Sequence, residues 1–176
     1  AASYEKTVRS MYPSMLANDD YTSIISKRHR DRLEGYLDDA REKGADVRII
    51  NPAGEDFAGQ NQSNKIPAAL VLNPTDDMKV MQEEIFGPIL PVRTYENTDD
   101  VIAYVNDHER PLALYYFGQD KAEEQKVLDK TTSGGVTVND ILWHGGHDNL
   151  PFGGIGNSGM GAYHGYDGFR EFSHMK

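Results

Sequence analysis

Two neighbouring carboxylates and an aromatic ring form the first stretch of the sequence that could do chemistry. Glu83 and Glu84 lead into Phe86, and a Gly87-Pro88 turn follows. A carboxylate can accept hydrogen bonds from two vicinal sugar hydroxyls, and an adjacent ring can pack on a flat heterocycle. The pattern therefore suits a nucleotide ribose. A helix end followed by a turn explains the same residues, and on the residues alone it is the favoured interpretation.

A second stretch offers three side chains that can bind metal ions. His144 and His147 lie close together, and Asp148 follows them. Zinc sites use such residues, but rigid elements aim them, and this stretch is rich in glycine. A loop with incidental histidines is the favoured interpretation, and we expect no metal site.

Residues 154–159 match the G-x-G-x-x-G pattern of dinucleotide-binding loops. That pattern holds a pyrophosphate only as the turn between a strand and a helix, whose N-terminus faces the phosphates. The preceding residues 150–153 would make a poor strand, and Gly161 and Gly165 would disfavour a following helix. We therefore interpret the stretch as a structural glycine loop.

Composition excludes several function classes. The chain has 176 residues, a formal net charge of -10 and no cysteine. Binding to a phosphate backbone needs a positive face, so we do not expect a nucleic-acid partner. The lack of cysteine excludes disulfides, thiolate metal sites and a cysteine nucleophile within these residues. With no apolar run of about eighteen residues and no signal-peptide pattern at residues 1–11, we expect a cytoplasmic protein without a membrane span.

Helix-like and strand-like stretches alternate, which is typical of an α/β layer structure. A helix is predicted at residues 26–43, and Gly44 suits the position after its end. Its apolar residues recur on one face at three- and four-residue spacing, namely Leu33, Tyr36, Leu37 and Ala40. Further helices are predicted from residue 99 to 108, with Thr98 as the cap, and from Asp120 to residue 130.

Strands are predicted at residues 47–50, 66–72, 89–92, 112–117 and 136–138. Pro91 places one of them at a sheet edge or bend, and the apolar run at 112–117 predicts a strand buried on both faces. Residues 56–64 are predicted to be a loop. After Asn139 we expect mostly loop, with a final turn or strand at residues 169–172. The whole pattern predicts one α/β domain with a mostly parallel sheet and flanking helices.

Two ordered motifs carry a family resemblance that covers essentially the whole chain. Residues 84–88, EIFGP, resemble the E-x-F-G-P motif of the aldehyde dehydrogenase superfamily. Residues 151–154, PFGG, followed by GNSGMG at 156–161, resemble the class 3-like form of a second motif of that superfamily. Residues 163–165 and 169–174 are similar to the end of the same class. Within the superfamily, residues 149–176 resemble bacterial coniferyl aldehyde dehydrogenases.

The resemblance implies an NAD- or NADP-dependent oxidation of aldehydes to carboxylic acids. In that family a cysteine thiolate attacks the aldehyde, and a glutamate activates the water that releases the acid. The resemblance places the cysteine, that glutamate, the oxyanion asparagine and the Rossmann-like cofactor fold upstream of the matched residues. We therefore expect residues 1–176 to be the C-terminal part of a catalytic domain, without a catalytic residue of its own and inactive alone.

Two groups of site residues follow from the same resemblance. Glu84 would hold the nicotinamide ribose hydroxyls and Phe86 would pack beside that ribose, with Glu83 as a solvated neighbour. Four residues match the loop that lines the aldehyde tunnel and are candidate pocket residues, namely Ile141, Leu142, His144 and Phe152. The implied substrate is an aromatic, coniferyl aldehyde-like aldehyde, and the implied assembly is a homodimer.

A second function class stays open, in which the chain is a stand-alone α/β binding or scaffold module without catalysis. An upstream coding region with a cysteine-bearing segment would favour the enzyme. A natural start at Ala1 would favour the module, and the lack of methionine at that position favours a fragment.

Overall fold

A computed structural model describes residues 1–60, 63–174 and 176. The chain forms two compact units, Ala1–Thr94 and Tyr95–Lys176. Residues 61–62, in the predicted loop at 56–64, lie outside the described residues, and the rest of that stretch contains no helix or strand. No helix among the described residues combines the length and apolar character needed to cross a membrane.

The first unit is a three-stranded sheet with a helix on each face. Its elements are α1 (Ala2–Met11), α2 (Lys27–Glu42), β1 (Asp46–Ile50), β2 (Ala68–Leu72), α3 (Lys79–Gln82) and β3 (Ile89–Val92). The strand order is β1-β2-β3, with β1 antiparallel and β3 parallel to β2. A parallel partner needs a crossover connection, whereas an antiparallel one can follow through a loop. The short helix α3 lies in that crossover and leads towards the candidate cofactor residues.

Strand β2 forms the centre of this unit. Ala69 and Val71 pack with the buried face of α2, whereas Ala68 and Leu70 pack with Ile50 and with partly buried residues of α1. The alternation follows because successive strand residues point to opposite faces. Burial of each larger aliphatic side chain contributes about 1.5–3 kcal/mol to the free energy of folding. Strand β2 and helix α2 therefore form the rigid base for the segment between α3 and β3.

The predicted helix at residues 26–43 is confirmed. Ser26 caps it by accepting a hydrogen bond from the His29 amide at 3.4 Å, and Gly44 adopts a φ of 87° after its end. The four apolar residues predicted for one face are all buried, namely Leu33, Tyr36, Leu37 and Ala40. The predicted edge position of β3, which contains Pro91, is also confirmed.

The second unit is built around a β-α-β crossover. Its elements are α4 (Thr98–Asp107), β4 (Ala113–Tyr116), α5 (Lys121–Lys130), β5 (Gly135–Val138), α6 (Trp143–Gly146) and α7 (Gly165–Glu171), with a short 3-10 turn at Gly156–Ser158. Strands β4 and β5 pair in parallel, and α5 connects them. Asp120 caps α5 as predicted, since its Oδ1 accepts from the Ala122 and Glu123 amides at 2.8 and 3.2 Å.

The predicted α/β class is confirmed, and two of the three pairings between described strands are parallel. The strands form two sheets instead of one. Strands β1 to β3 lie within the unit Ala1–Thr94, and β4 and β5 lie within the unit Tyr95–Lys176.

Three local predictions are wrong. Asn97 caps α4 in place of Thr98, because its Oδ1 accepts from the Asp100 amide at 3.0 Å while the Thr98 hydroxyl donates to Glu123. Strand β4 is not buried on both faces, since none of its four residues is fully buried and Tyr115 stays 38% exposed. The chain end forms helix α7 where a turn or strand was predicted.

A buried lysine braces the connection between α1 and α2. Lys65 is 8% exposed, and its Nζ donates to the carbonyl oxygens of Met15, Leu16 and Asn18 at 3.2, 3.0 and 2.8 Å. Glu55 completes the brace, because its carboxylate accepts from the Met15 and Leu16 amides at 2.7 and 2.9 Å. Lys65 and Glu55 thus bind the backbone carbonyl and amide groups of the turn at residues 15–18.

We expect Lys65→Met to destabilise the chain by about 3 kcal/mol, because the buried carbonyl groups lose a charged donor while the apolar stem is kept. Urea denaturation followed by circular dichroism measures the change. The exposed Lys6 provides the control, and Lys6→Met is expected to stay within about 0.5 kcal/mol. Equal stability of the two variants would contradict a bracing role for Lys65.

Candidate functional site

Glu84 and Phe86 lie on the segment between α3 and β3, and both side chains face solvent. Phe86 is 81% exposed, and the Glu84 carboxylate makes no hydrogen bond to any residue that the structure describes. Phe86 also has a φ of 50°, a region that bulky residues rarely occupy and that persists when the surroundings hold it. A free carboxylate and a free ring therefore stand two residues apart on a constrained backbone.

An arginine on α2 holds the backbone of this segment. The Arg32 guanidinium donates to the carbonyl oxygens of Glu84 at 2.9 Å and Ile85 at 2.8 Å. It also donates to the Tyr36 hydroxyl at 2.6 Å, which in turn donates to the Glu83 carboxylate at 2.5 Å. Glu83 is exposed, as expected of a solvated neighbour. Unlike the Glu84 carboxylate, however, the Glu83 carboxylate accepts a hydrogen bond from a side chain of α2.

Burial, with the Glu83 hydrogen bond, raises the pKa of Tyr36 above its ordinary value and outweighs the neighbouring Arg32 guanidinium. The hydroxyl therefore stays protonated at neutral pH and remains the donor to Glu83.

Packing fixes the rest of the segment. Ile85 packs against the core cluster beneath α2. A Cβ atom on Gly87 would lie 2.5 Å from Leu33 Cδ1, so a larger residue there would force the Leu33 side chain or the segment to move. The Pro88 carbonyl then accepts from the Ala69 amide at 2.8 Å, which begins the pairing of β3 with β2. The alternation is regular, with Ile85 inward and Glu84 and Phe86 outward.

The candidate pocket residues lie in the second unit, at the carboxyl end of β5. Asn139 closes this end of the sheet, because its side-chain amide exchanges two hydrogen bonds of 2.9 Å with the backbone of Gly118. Helix α6 follows, and His144 is fixed there by Thr137, whose Oγ1 lies 3.0 Å from His144 Nδ1.

The structure brings His144 and Phe152 together in a group of aromatic rings. Their centroids are 6.0 Å apart, and the His144 ring also lies 5.7 Å from that of Tyr115. Phe152 stacks on His164 at 5.9 Å and meets Tyr163 edge-on at 5.7 Å. Phe152 also borders a cavity of about 440 Å³ that is lined further by Leu112, Met160, Tyr163 and Phe172.

Ile141 and Leu142 do not join this group. They are 51% and 66% exposed, and Leu142 has a φ of 65°. Trp143 is also exposed, although its indole nitrogen donates to Asp140 at 2.8 Å. The four candidate residues therefore divide into a ring pair that is partly buried and an apolar pair that faces solvent.

Sequence reasoning missed His164 and Tyr115. His164 has a φ of 91°, and its Nδ1 is buried without a partner among the described residues. The pair His164-Gly165 gave a weak signal, since glycine readily adopts a positive φ and histidine does so more often than most other residues. Tyr115 gave none, because an aromatic residue in a strand-like run is expected to be core.

The structure also shows where the glycine motif and the histidine cluster of the sequence lie. Residues 154–159 contain the 3-10 turn, and a Cβ atom on Gly154 would lie 2.1 Å from the Ser158 carbonyl oxygen, so the backbone itself requires glycine there. His147 lies after α6 and its Nδ1 accepts from the Asn149 amide at 3.2 Å. Among the described residues, no group of three or more histidine, cysteine, aspartate or glutamate side chains could hold a metal ion.

Comparison with known proteins decides the family. The model of the aldehyde dehydrogenase family matches residues 2–176. The chain belongs to the aldehyde dehydrogenase family. It is 62% identical to a probable coniferyl aldehyde dehydrogenase of Caulobacter vibrioides over 98% of its own length and 35% of that protein. It is 42% identical to the mouse aldehyde dehydrogenase family 3 member A2, over 98% of this chain and 34% of that protein.

The fold agrees with the same family. The substrate-bound state of Staphylococcus aureus AldH superimposes with a TM-score of 0.84 at 37% identity, over 98% of this chain and 36% of that one. The resemblance to the class 3-like and coniferyl branches of the aldehyde dehydrogenase family is thus confirmed. The chain spans about a third of the length of the relatives it matches.

Proposed function

We propose that this chain supplies the nicotinamide-side and substrate-side contacts of an NAD- or NADP-dependent aldehyde dehydrogenase. The observation that carries the proposal is the exposed pair Glu84 and Phe86 on a backbone that Arg32, Ile85 and Gly87 hold in place. The full-length protein, meaning one of the relatives' length that carries this chain, is the proposed enzyme.

The geometry fits a nicotinamide ribose. The Glu84 carboxylate is free to accept hydrogen bonds from both ribose hydroxyls, and the exposed Phe86 ring can cover the flat face beside them. When bound, the nicotinamide ring accepts a hydride from the substrate. The role of this chain is to aim that ring, and orientation alone can change a rate by orders of magnitude.

The proposed overall reaction converts an aldehyde, water and NAD(P)⁺ into a carboxylate, NAD(P)H and two protons. The aldehyde carbon loses two electrons with its hydrogen as a hydride, and water supplies the second oxygen. The nucleophile of the family is a cysteine, and this chain contains none. We therefore propose that the covalent step uses residues outside these 176, and that residues 1–176 form a partial catalytic domain.

We further propose an aromatic aldehyde as substrate. The likeness to a probable coniferyl aldehyde dehydrogenase supports this, as does the Phe152 ring, which borders the apolar cavity and lies 6.0 Å from the His144 ring. The exposed Ile141, Leu142 and Trp143 would supply further apolar surface to a ligand. The homodimer and the cytoplasmic location are likewise proposals, supported by the family resemblance and by composition.

For the full-length protein, kcat/KM is expected to be at least about tenfold higher for a cinnamyl-type aldehyde than for acetaldehyde, because a ring buries far more apolar area than a methyl group. Steady-state formation of NADH or NADPH measures both values. Equal or higher efficiency with acetaldehyde would contradict the proposed substrate class. No coenzyme reduction with any aldehyde would contradict the proposed enzyme and favour a binding or scaffold module.

A further inference from the structure

The loop that carries Glu84 and Phe86 depends on a three-residue network that the family motif does not include. Arg32 and Tyr36 lie one turn apart on α2, and Glu83 precedes the motif. The Arg32 contacts reach across 52 and 53 residues of sequence to the carbonyl groups of Glu84 and Ile85.

We propose that Arg32, with Tyr36 and Glu83, is a positioning residue that aims Glu84 and Phe86 at the coenzyme. This inference rests on the proposed function of Glu84 and Phe86. Arg32 would not touch the coenzyme. It holds the backbone on the inner side of the segment, so the two outward side chains keep one orientation before any ligand binds.

The guanidinium group suits this task better than an ammonium group. Its planar fork presents two nitrogen atoms, and each binds one of two successive carbonyl oxygens, at 2.9 and 2.8 Å. A lysine carries a single point charge on a flexible stem and cannot form the same paired contact. Loss of the fork frees the Glu84 and Ile85 peptide groups while the positive charge stays on the helix.

The rest of the segment explains why this brace controls orientation. Phe86 holds a φ of 50°, which a bulky residue keeps only under constraint. Below it, Ile85 and Gly87 anchor to α2 through apolar contact alone, which is not directional. The hydrogen bonds of Arg32 and the link from Tyr36 to Glu83 are directional side-chain contacts at residues 83–85, whereas the bond of the Pro88 carbonyl to the Ala69 amide lies after Phe86. The side-chain contacts therefore set which way Glu84 and Phe86 point.

The test compares Arg32→Lys with Arg30→Lys in the full-length protein. Arg30 is a matched control, because it lies on the same helix and donates to a backbone carbonyl, that of Phe57, at 2.9 Å. Two quantities are measured. One is hydrogen–deuterium exchange of residues 83–88 in the coenzyme-free protein, and the other is the pair of kinetic constants kcat and KM for the aldehyde.

For Arg32→Lys we expect faster exchange at residues 83–88 and a kcat lower by roughly tenfold to a hundredfold, since misplacement by about 1 Å costs on that order. The KM for the aldehyde and the melting temperature are expected to stay near those of the wild type. A merely structural role would instead lower the melting temperature and leave kcat of the folded fraction unchanged. Arg30→Lys is expected to change neither exchange at this segment nor kcat.

Unchanged exchange and unchanged kcat in Arg32→Lys would overturn the inference, as would faster exchange without a loss of kcat. If Arg32→Lys does not fold, Tyr36→Phe removes only the hydroxyl that joins Arg32 to Glu83, and it is expected to change exchange and kcat in the same direction. Wild-type protein that lacks aldehyde oxidation while Arg32→Lys still loosens the segment would contradict the proposed function alone. Arg32 would then hold residues 83–88 in place without a role in catalysis.

Discussion

Glu84→Gln in the full-length protein is expected to lower kcat for coenzyme reduction about a hundredfold, while the KM for the aldehyde changes little. The carboxylate can accept two hydrogen bonds, whereas the amide offers one oxygen acceptor and an NH₂ group that cannot accept. A ribose held by one bond shifts the nicotinamide, and a shift of about 1 Å can cost on the order of a hundredfold in rate. The rings of His144 and Phe152, which we propose to contact the aldehyde, lie on other elements, so substrate affinity is expected to be retained.

Stopped-flow absorbance of the reduced nicotinamide, with normal and C1-deuterated aldehyde, measures this effect. We expect a larger isotope effect on kcat in Glu84→Gln, because the hydride step becomes slower than product release. Glu42→Gln is the matched control, since Glu42 is an exposed glutamate at the end of α2. An unchanged kcat in a folded Glu84→Gln protein would assign Glu84 to an ordinary surface position.

Local sequence patterns predicted those elements that depend on neighbouring residues. Helix α2 is the clearest case, because its cap, its apolar spacing and Gly44 all lie within a short stretch. Local patterns did not identify the cap of α4, because Asn97 and Thr98 are adjacent and both residue types can cap a helix. Only the contact of Thr98 with Glu123, 25 residues away, decides between them.

Helix α7 forms against the propensity of its residues. Gly165 and Gly168 disfavour a helix by about 1 kcal/mol each relative to alanine, so a turn or strand was predicted. The helix forms nevertheless, with no buried residue, and His164 adopts a φ of 91° immediately before it. Nothing in the local sequence pattern predicted this helix.

In the candidate site, too, some features follow from local sequence motifs and others depend on distant contacts. Glu84 and Phe86 face solvent in the structure, and the roles that the resemblance implies for them stay predictions. The Arg32 brace could not be predicted, because nothing in the spacing of a helix shows which distant carbonyl groups its arginines reach. The division of the pocket residues, with His144 among rings and Leu142 in solvent, also depends on where distant segments meet.

The 176-residue chain on its own is expected to form no detectable NADH or NADPH from any aldehyde. It contains no cysteine, so the thiolate that attacks the aldehyde in this family has no counterpart within it. Serine and threonine hydroxyls are weak nucleophiles without an activating base beside them. Thr137 does have a possible base beside it, since its Oγ1 lies 3.0 Å from His144 Nδ1, but Thr137 is only 9% exposed and offers a substrate little access.

Coenzyme binding to the isolated chain is also expected to be weak. Glu84 and Phe86 would supply one carboxylate and one ring, whereas association costs about 4–15 kcal/mol in lost translational and rotational freedom. Two contacts of this size do not offset that cost. The test adds millimolar NAD or NADP and a cinnamyl-type aldehyde to the purified chain and follows absorbance of the reduced nicotinamide. The full-length protein under the same conditions is the positive control, and turnover by the pure 176-residue chain would contradict the assignment of the covalent step to residues outside it.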